Sequence, residues 1–205
     1  KTGQWWEHNA QRALANNSVA YKSTPEIGTF MEEWLSLYKS KSGERGMFSR
    51  AACQEQVKKI VDERRDPNYN FGTNPCSEII LRDREFCNLT EVVVRADDTV
   101  KTLKEKVRLA TILGTWQSTL LNFKYLSSEW TKNCEEERLL GVSLTGIMDN
   151  ALLNGSTNGK LAGTLEDLKK HSVDVNKTWA KKLHINQSAA ITCVKPSGTV
   201  SQLVD

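Results

Sequence analysis

The chain of 205 residues lacks most of the features that mark specialised protein classes. It has 4 Pro and 12 Gly, with 39% hydrophobic and 26% charged residues, which excludes a collagen-like, low-complexity or wholly disordered chain. Its formal net charge of +3 is too small to indicate nucleic acid binding. No apolar run approaches the roughly 20 residues of a membrane-spanning helix. We therefore expect a globular protein with neither a membrane nor a nucleic acid as partner.

The chain also lacks a signal peptide and an initiator Met, so we expect it to begin inside a longer reading frame. An odd number of cysteines without a secretory signal predicts reduced thiols and a cytoplasmic location. No CxxC pair occurs and no His lies at ligand spacing from a cysteine, so we expect no metal site. The five cysteines are Cys53, Cys76, Cys87, Cys134 and Cys193.

Strand-like and helix-like segments alternate, which predicts an α/β architecture with parallel strands. Apolar residues spaced three and four apart predict helices after Pro25 and over 49–62, 100–126 and 164–183, with a turn or small helix near 127–138. Strands are expected at 77–81, 91–94, 141–146 and 188–194. The 100–126 helix is predicted to have one apolar stripe of Val100, Leu103, Val107, Ala110, Leu113, Trp116 (or Gln117), Leu120 and Phe123. The tryptophans are interpreted as core, and the acidic run 135–137 as a solvated helix face.

The first candidate site surrounds Cys76. Pro75 biases Asn74 toward an extended conformation, and in an extended segment the side chains at 74, 76 and 78 project to the same side. A thiol would then lie between the Asn74 amide and the Glu78 carboxylate, with Glu78 as a general base and Asn74 as an orienting partner. A loop cysteine beside a surface glutamate is the alternative, and spacing does not decide between them.

The second candidate is Cys87, which follows Cys76 by eleven positions. A thiol here could be a redox group that returns as a disulfide, or a silent core thiol, since free cysteine is often buried. The third candidate is the glycine-containing turn at 195–201, which follows a strand. Its backbone N–H groups and hydroxyls suit a phosphate, although an ordinary turn has the same composition. The candidate phosphate-binding residues are Pro196, Ser197, Gly198, Thr199 and Ser201.

Taken together, these segments resemble the catalytic core of the ribonucleotide reductases. The likeness is greatest to the adenosylcobalamin-dependent (class II) enzymes of the monomeric ribonucleoside-triphosphate type. The segments 71–81 and 86–92 carry it, and 12–18, 42–46, 141–146 and 194–201 support it in the order in which the family has them. The likeness therefore extends over nearly the whole chain.

The resemblance implies part of a ten-stranded α/β barrel with a central finger loop at about 71–90 and a phosphate-binding loop at about 195–201, within one partial catalytic domain over 1–205. It implies adenosylcobalamin as cofactor and a thiyl radical on Cys76 that removes the ribose 3′ hydrogen. Glu78 would take the 3′-hydroxyl proton, Asn74 would hold the sugar hydroxyls, and Cys87 would belong to the reducing dithiol. A ribonucleotide, most simply a triphosphate, would be the substrate, and thioredoxin or a similar dithiol the reductant.

The sequence departs from the family in what it leaves out. No cysteine here matches the partner thiol of Cys87, and the N-terminal allosteric region, the C-terminal shuttle cysteines and the later strands have no counterpart. We therefore expect an incomplete catalytic segment that is inactive without the remaining parts of the enzyme. A segment of a class I large subunit, or a scaffold of the same fold that has lost catalysis, is the alternative.

Overall fold

Helices and strands alternate along the part of the chain that the computed structural model describes, namely residues 5–11, 18–41, 46–60, 64–156, 159–198 and 200–204. They form two compact units, Lys1–Ile80 and Leu81–Asp205. The mixed architecture confirms the α/β prediction at the level of fold class. Within the described ranges, no helix is both long and apolar enough to cross a membrane. The segments 12–17 and 42–45, which carry two of the supporting motifs, lie outside the described residues, as does Thr199.

The described residues of the first unit form short strands and three α-helices. Its elements are α1 (Trp5–His8), β1 (Val19–Tyr21), α2 (Ile27–Ser40), β2 (Met47–Ser49), α3 (Arg50–Lys58), β3 (Gly72–Thr73) and β4 (Ile80–Leu81). Strands β1 and β2 are parallel, and the Ser49 hydroxyl caps α3 by accepting a hydrogen bond from the Ala52 N–H at 3.1 Å. Helix α3 packs its buried face, Cys53 and Val57, against Phe71. The predicted helices after Pro25 and at 49–62 are confirmed, although α3 ends at Lys58.

The second unit is built on two parallel strands flanked by long helices. Its elements are β5 (Asn88–Val93), α4 (Val100–Gln117), α5 (Ser128–Glu137), β6 (Leu140–Thr145), α6 (Leu161–Leu183) and α7 (Val200–Leu203). Asn88 lies opposite Leu140 and Val93 opposite Thr145, so the two strands are aligned over their whole length. Their α4-facing side chains form one core with α4 and α6. Its buried members are Val92, Val94, Leu103, Val107, Ala110, Leu140, Val142, Leu153, Leu168 and Ile191.

The inward face of α4 differs from the predicted stripe. Leu113 and Trp116 are 57% and 48% exposed, whereas Thr111 and Thr115 are fully buried, and the helix ends at Gln117 before Leu120 and Phe123. Each buried threonine donates its hydroxyl to the carbonyl four residues earlier at 2.7 Å. A threonine that satisfies its hydroxyl within its own helix can be buried at little cost, which an apolar pattern does not register.

Three further expectations are wrong in detail. Trp34 and Trp116 are 46% and 48% exposed, so these tryptophans are not core. Glu137 is fully buried, because α5 turns this end of the acidic run toward the protein interior. The segment 188–194 is not a regular strand: it contacts β6 through a single bridge, Val142 to Thr192, and through the N–H of Leu140 donating to the carbonyl of Ala190 at 2.9 Å. The predicted helices at 127–138 and 164–183 correspond to α5 and α6.

Candidate functional site

Cys76 lies in a tight turn between β3 and β4. The Ser77 N–H donates to the Asn74 carbonyl at 3.0 Å, and Ser77 has φ 63°, a left-handed conformation that is uncommon outside glycine. The extended conformation predicted for 74–78 is therefore wrong. Pro75, with its fixed φ, suits the position after the first residue of such a turn. The consequence is an exposed thiol at Cys76.

Asn74 holds this loop together through its side chain. Its Oδ1 accepts a hydrogen bond from the Ile79 N–H at 3.1 Å and lies 3.4 Å from the Thr73 hydroxyl. The amide therefore joins the two ends of the segment that contains Cys76. No described residue accepts a hydrogen bond from the Asn74 Nδ2 group, so the two N–H donors of this amide remain available to a bound molecule.

Glu78 has a carboxylate that lacks a donor. Both of its oxygens are shielded from solvent, and no described group donates a hydrogen bond to either. Buried carboxylate oxygens are nearly always hydrogen-bonded, so this pair marks a place where a donor is missing. A hydroxyl of a bound molecule would supply that donor, which is also the contact that a general base makes with its substrate.

Cys87 belongs to the second unit, directly before β5, and is half-buried. None of the five cysteines forms a disulfide. Cys53 and Cys134 are buried, and burial raises the pKa of both. Among the described residues, no group of His, Cys, Asp and Glu is arranged to hold a metal ion.

The 195–201 turn borders an open cavity of about 370 Å³ beyond the carboxyl end of β6. Ser197, Ser201 and Lys195 line it, whereas Pro196 and Gly198 do not and instead shape the turn, with the Gly198 N–H donating to the Pro196 carbonyl at 3.0 Å. Sequence reasoning missed Lys195 as a cavity residue, although it is the one cation of the motif and the obvious counter-charge for a phosphate.

The wall opposite this turn includes Gly146, whose φ is 77°. A Cβ at this position would lie 2.4 Å from the carbonyl oxygen of Val94, so only glycine fits. The Lys195 N–H donates to the Ser143 hydroxyl at 3.1 Å, and Ser143 lies opposite Glu91 in the sheet. Glu91 is four residues beyond Cys87, which corresponds to about 13 Å along β5. Lys195 is joined to the sheet at the level of Glu91, so the turn begins about that far from Cys87 in the strand direction.

The site residues thus fall into two groups, each within one unit. Asn74, Cys76 and Glu78 share the loop between β3 and β4 in the first unit, and Cys87 and the 195–201 turn share the sheet of the second. Local sequence was enough to find the first group, because its members are adjacent in the chain. Lys195 and Glu91 are distant in the chain and are brought together by the pairing of β5, β6 and the following segment. Burial raises the pKa of Glu91, and the positive charge of Lys195 partly counteracts this increase.

No protein-family model matches the chain. Among curated proteins, it is 32% identical to an adenosylcobalamin-dependent ribonucleoside-triphosphate reductase of Lactobacillus acidophilus, over 64% of this chain and 21% of the relative. It is 28% identical to the protein of that name from Lacticaseibacillus paracasei, over 94% of this chain and 28% of the relative.

Among solved structures, the chain matches that of a B12-dependent (class II) ribonucleotide reductase, with a TM-score of 0.53 and 25% identity. The match covers 72% of this chain and 22% of the solved one. The chain therefore spans between a fifth and a third of the length of these relatives. The resemblance inferred from the motifs is confirmed: over most of its length, the chain is similar to one part of the adenosylcobalamin-dependent ribonucleoside-triphosphate reductases.

Proposed function

We propose that this chain is a catalytic segment of an enzyme that reduces ribonucleotides to 2′-deoxyribonucleotides with adenosylcobalamin as cofactor. The observation that carries the proposal is the loop at 74–79, where an exposed Cys76 thiol is followed two residues later by a carboxylate that lacks a donor. Relatives with this activity in their names support it. Cytoplasmic location, as expected from the reduced cysteines, belongs to the same proposal.

Adenosylcobalamin, when bound, supplies the organic radical from which the reaction starts. The exposed position of Cys76 fits this requirement, because a thiol that must give up its hydrogen atom to an external radical has to be reachable. We assign Cys76 as the residue that faces the cofactor, and we assign no described residue to holding its ring system. Cys76 then removes the 3′ hydrogen atom of the ribose as a thiyl radical.

The other residues of the two loops accept the proton, orient the sugar and supply the electrons. Glu78 accepts the 3′-hydroxyl proton, which supplies the donor that its shielded oxygens lack. Asn74 orients the sugar through its remaining amide N–H groups. The 2′-hydroxyl leaves as water, and Cys87 with a second thiol outside this chain provides the two electrons, forming a disulfide that thioredoxin or a similar dithiol reduces.

The substrate phosphates bind at the cavity beside 195–201. Ser197 and Ser201 provide hydroxyl donors and Lys195 provides positive charge, while Pro196 and Gly198 shape the turn. Along β5, Cys87 lies about 13 Å from Glu91, the strand residue at the level of this turn. This distance is comparable with the length of an extended nucleotide. A single substrate aligned with the sheet would thus reach both groups.

The whole enzyme would form the ten-stranded barrel, with 71–90 as its finger loop and 1–205 as one part of a single catalytic domain. The parallel pairing of β5 with β6, continued by the bridge from Val142 to Thr192, supports this architecture. In this proposal the remaining strands come from N- and C-terminal parts of the same enzyme. The isolated segment is therefore inactive.

The proposal is tested by assaying the full-length enzyme for deoxyribonucleotide formation with a dithiol, with and without adenosylcobalamin. Product that requires the cofactor supports the proposal. Product that forms without the cofactor would retain ribonucleotide reduction but favour a class I-type enzyme. Absence of product with any radical source would favour a scaffold that has lost catalysis.

A further inference from the structure

The loop at 82–87, which ends at Cys87, is fixed to helix α5 at its start. The Arg82 guanidinium donates to the Asn133 carbonyl at 3.1 Å, and the Asn133 side-chain amide donates back to the Asp83 carbonyl at 2.8 Å. One residue of α5 therefore binds the loop through both its backbone and its side chain. This reciprocal pair fixes the entry to the loop.

The end of the loop is fixed to the same helix by Phe86. The Phe86 N–H donates to the Cys134 sulfur at 3.3 Å, and its ring stacks on Trp130 with centroids 4.5 Å apart. A second ring, Phe123, meets it edge-on at 5.2 Å. Because Phe86 is held through both backbone and side chain, its contacts set the position of Cys87, the next residue.

A charged cluster lies beneath the loop. The side chains of Glu85 and Glu137 are fully buried, and the Arg82 Nε lies 3.6 Å from Oε1 of the first and 3.2 Å from Oε1 of the second. A third carboxylate, Glu136, contacts Arg82 at 3.1 Å but is 39% exposed. One guanidinium thus lies next to two carboxyl groups that are both buried. This arrangement is strongly unfavourable if both carboxyl groups are ionised.

The contacts of Glu85 indicate where a proton is held. Its Oε2 accepts the Arg82 backbone N–H at 2.8 Å, whereas no described group donates to Oε1. The Glu137 carboxyl group lies within hydrogen-bonding reach, so a proton on Glu85 would bridge the two. Burial, together with the negative charge of Glu137, raises the pKa of Glu85 to about 8.

Among the described residues, the groups that face Glu85 come from its own loop and from α5. Arg82 lies on the loop, and Glu136, Glu137 and Cys134 lie on the helix. Arg82 is the one cation among them, and Glu136 is near solvent. Ionisation of Glu85 would therefore place a second buried negative charge next to Glu137 without adding a new counter-charge.

We propose that Glu85, held as a neutral carboxylic acid between Arg82 and Glu137, is a positioning residue that fixes the loop at 82–87 and thereby the place of Cys87. The role of Cys87 in reduction rests on the proposed function. The placement of the loop does not. Glu85 itself touches no substrate and acts only through the contacts that hold this loop to α5.

The first test measures alkylation of Cys87 by iodoacetamide at pH 7, resolved by mass spectrometry, in the native protein and in variants. We expect Glu85→Ala to raise the Cys87 rate roughly tenfold, because the loop opens locally, while the buried Cys53 stays protected. Glu85→Gln, which keeps the size and hydrogen bonds of the neutral acid, should restore the native rate. The matched control is Glu135→Gln on the same helix, whose exposed carboxylate lies 3.8 Å from Arg138, outside the loop, and which should leave the rate unchanged.

The second test follows the Cys87 rate of the native protein, relative to Glu85→Gln, from pH 6.5 to 9.5. We expect a ratio near one at low pH that rises above pH 8, because only the native protein can ionise at position 85. A ratio that stays flat, or a Glu85→Ala variant with native circular dichroism and an unchanged Cys87 rate, would overturn the proposal. If Glu85→Ala exposes all the thiols together, the fold has been lost and the pH series alone decides.

In the full-length enzyme, Glu85→Ala should lower kcat for reduction roughly tenfold with little change in KM, and Glu85→Gln should recover it. An enzyme that shows no ribonucleotide reduction in its native form would contradict the proposed function but leave the alkylation results intact. The two proposals therefore fail separately.

Discussion

Two carboxyl groups in this chain have different surroundings. Glu78 has two shielded oxygens without a described donor, on a loop whose neighbouring thiol is exposed. Glu85 is enclosed with a second carboxyl group, and a proton satisfies both. Glu78 is placed to accept a hydrogen bond from a bound molecule, whereas burial beside Glu137 favours the neutral form of Glu85. Each environment leads to a separate measurement.

Replacing Glu78 with Gln should abolish its capacity to take a proton while leaving its size unchanged. We expect kcat for ribonucleotide reduction in the full-length enzyme to fall by roughly 10²–10⁴-fold, the usual contribution of a general base. Glu55→Gln, at an exposed position of α3, is the control and should retain native kcat. Native kcat in the Glu78→Gln variant would exclude the role assigned to this residue.

The protonation of Glu85 predicts how stability depends on pH. Its pKa is raised in the folded state to about 8, from 4.5, so the folded protein binds more protons than the unfolded one in this interval. The free energy of unfolding should therefore decrease as pH rises from about 5 to about 8, by at most about 1.4 kcal/mol per pH unit. Urea unfolding at a series of pH values measures this slope, and Glu85→Gln should flatten it. An equal slope in both proteins would contradict the assignment.

The sequence predicted a candidate site within one loop and missed residues whose surroundings depend on distant partners. Asn74, Cys76 and Glu78 were found because they are adjacent, although the turn they form was predicted as extended. Glu85 and Glu137 are about fifty positions apart, and neither looks unusual in the sequence. Their burial follows from the packing of the loop on α5, which local spacing does not encode.

At the scale of elements, a close backbone contact as well as the hydrophobic pattern defines the sheet of the second unit. Strand β6 was predicted at 141–146, and Gly146, the last residue of that prediction, lies directly against the Val94 carbonyl. The buried face of α4 was predicted less well, since Thr111 and Thr115 replace apolar residues there. Asn176 of α6 completes this polar seam, donating to the Thr115 hydroxyl at 3.0 Å. Hydroxyl and amide groups that satisfy one another can thus occupy core positions.

Two glycines provide a matched pair of substitutions that are expected to change the free energy of unfolding in opposite directions. Gly146→Ala forces a Cβ against the Val94 carbonyl at a positive φ and should destabilise the protein by about 1–3 kcal/mol. Gly163→Ala, in α6 with open space around its Cβ, should stabilise it by roughly 0.5–1 kcal/mol. Both are measured by chemical denaturation. A neutral Gly146→Ala would show that the backbone here is free to relax.

At the scale of the whole molecule, the chain contains two compact units, each with its own buried cluster. The thiol that would carry the radical belongs to the first, and the reducing thiol and the phosphate cavity belong to the second. The sequence motifs predicted the likeness to the family and the order of these groups along the chain, because the motifs are short and local. The ten-stranded barrel stays a prediction, since single-segment patterns do not encode strands that pair across long separations in the chain.

The central claim is that Cys76 carries the reactive hydrogen-abstracting thiol. The most direct test compares deoxyribonucleotide formation by the full-length enzyme with adenosylcobalamin and a dithiol, before and after Cys76→Ala, with Cys193→Ala as the matched control. We expect no detectable product from the Cys76→Ala variant and near-native product from the control. Cofactor-dependent product from a folded Cys76→Ala variant would contradict the account.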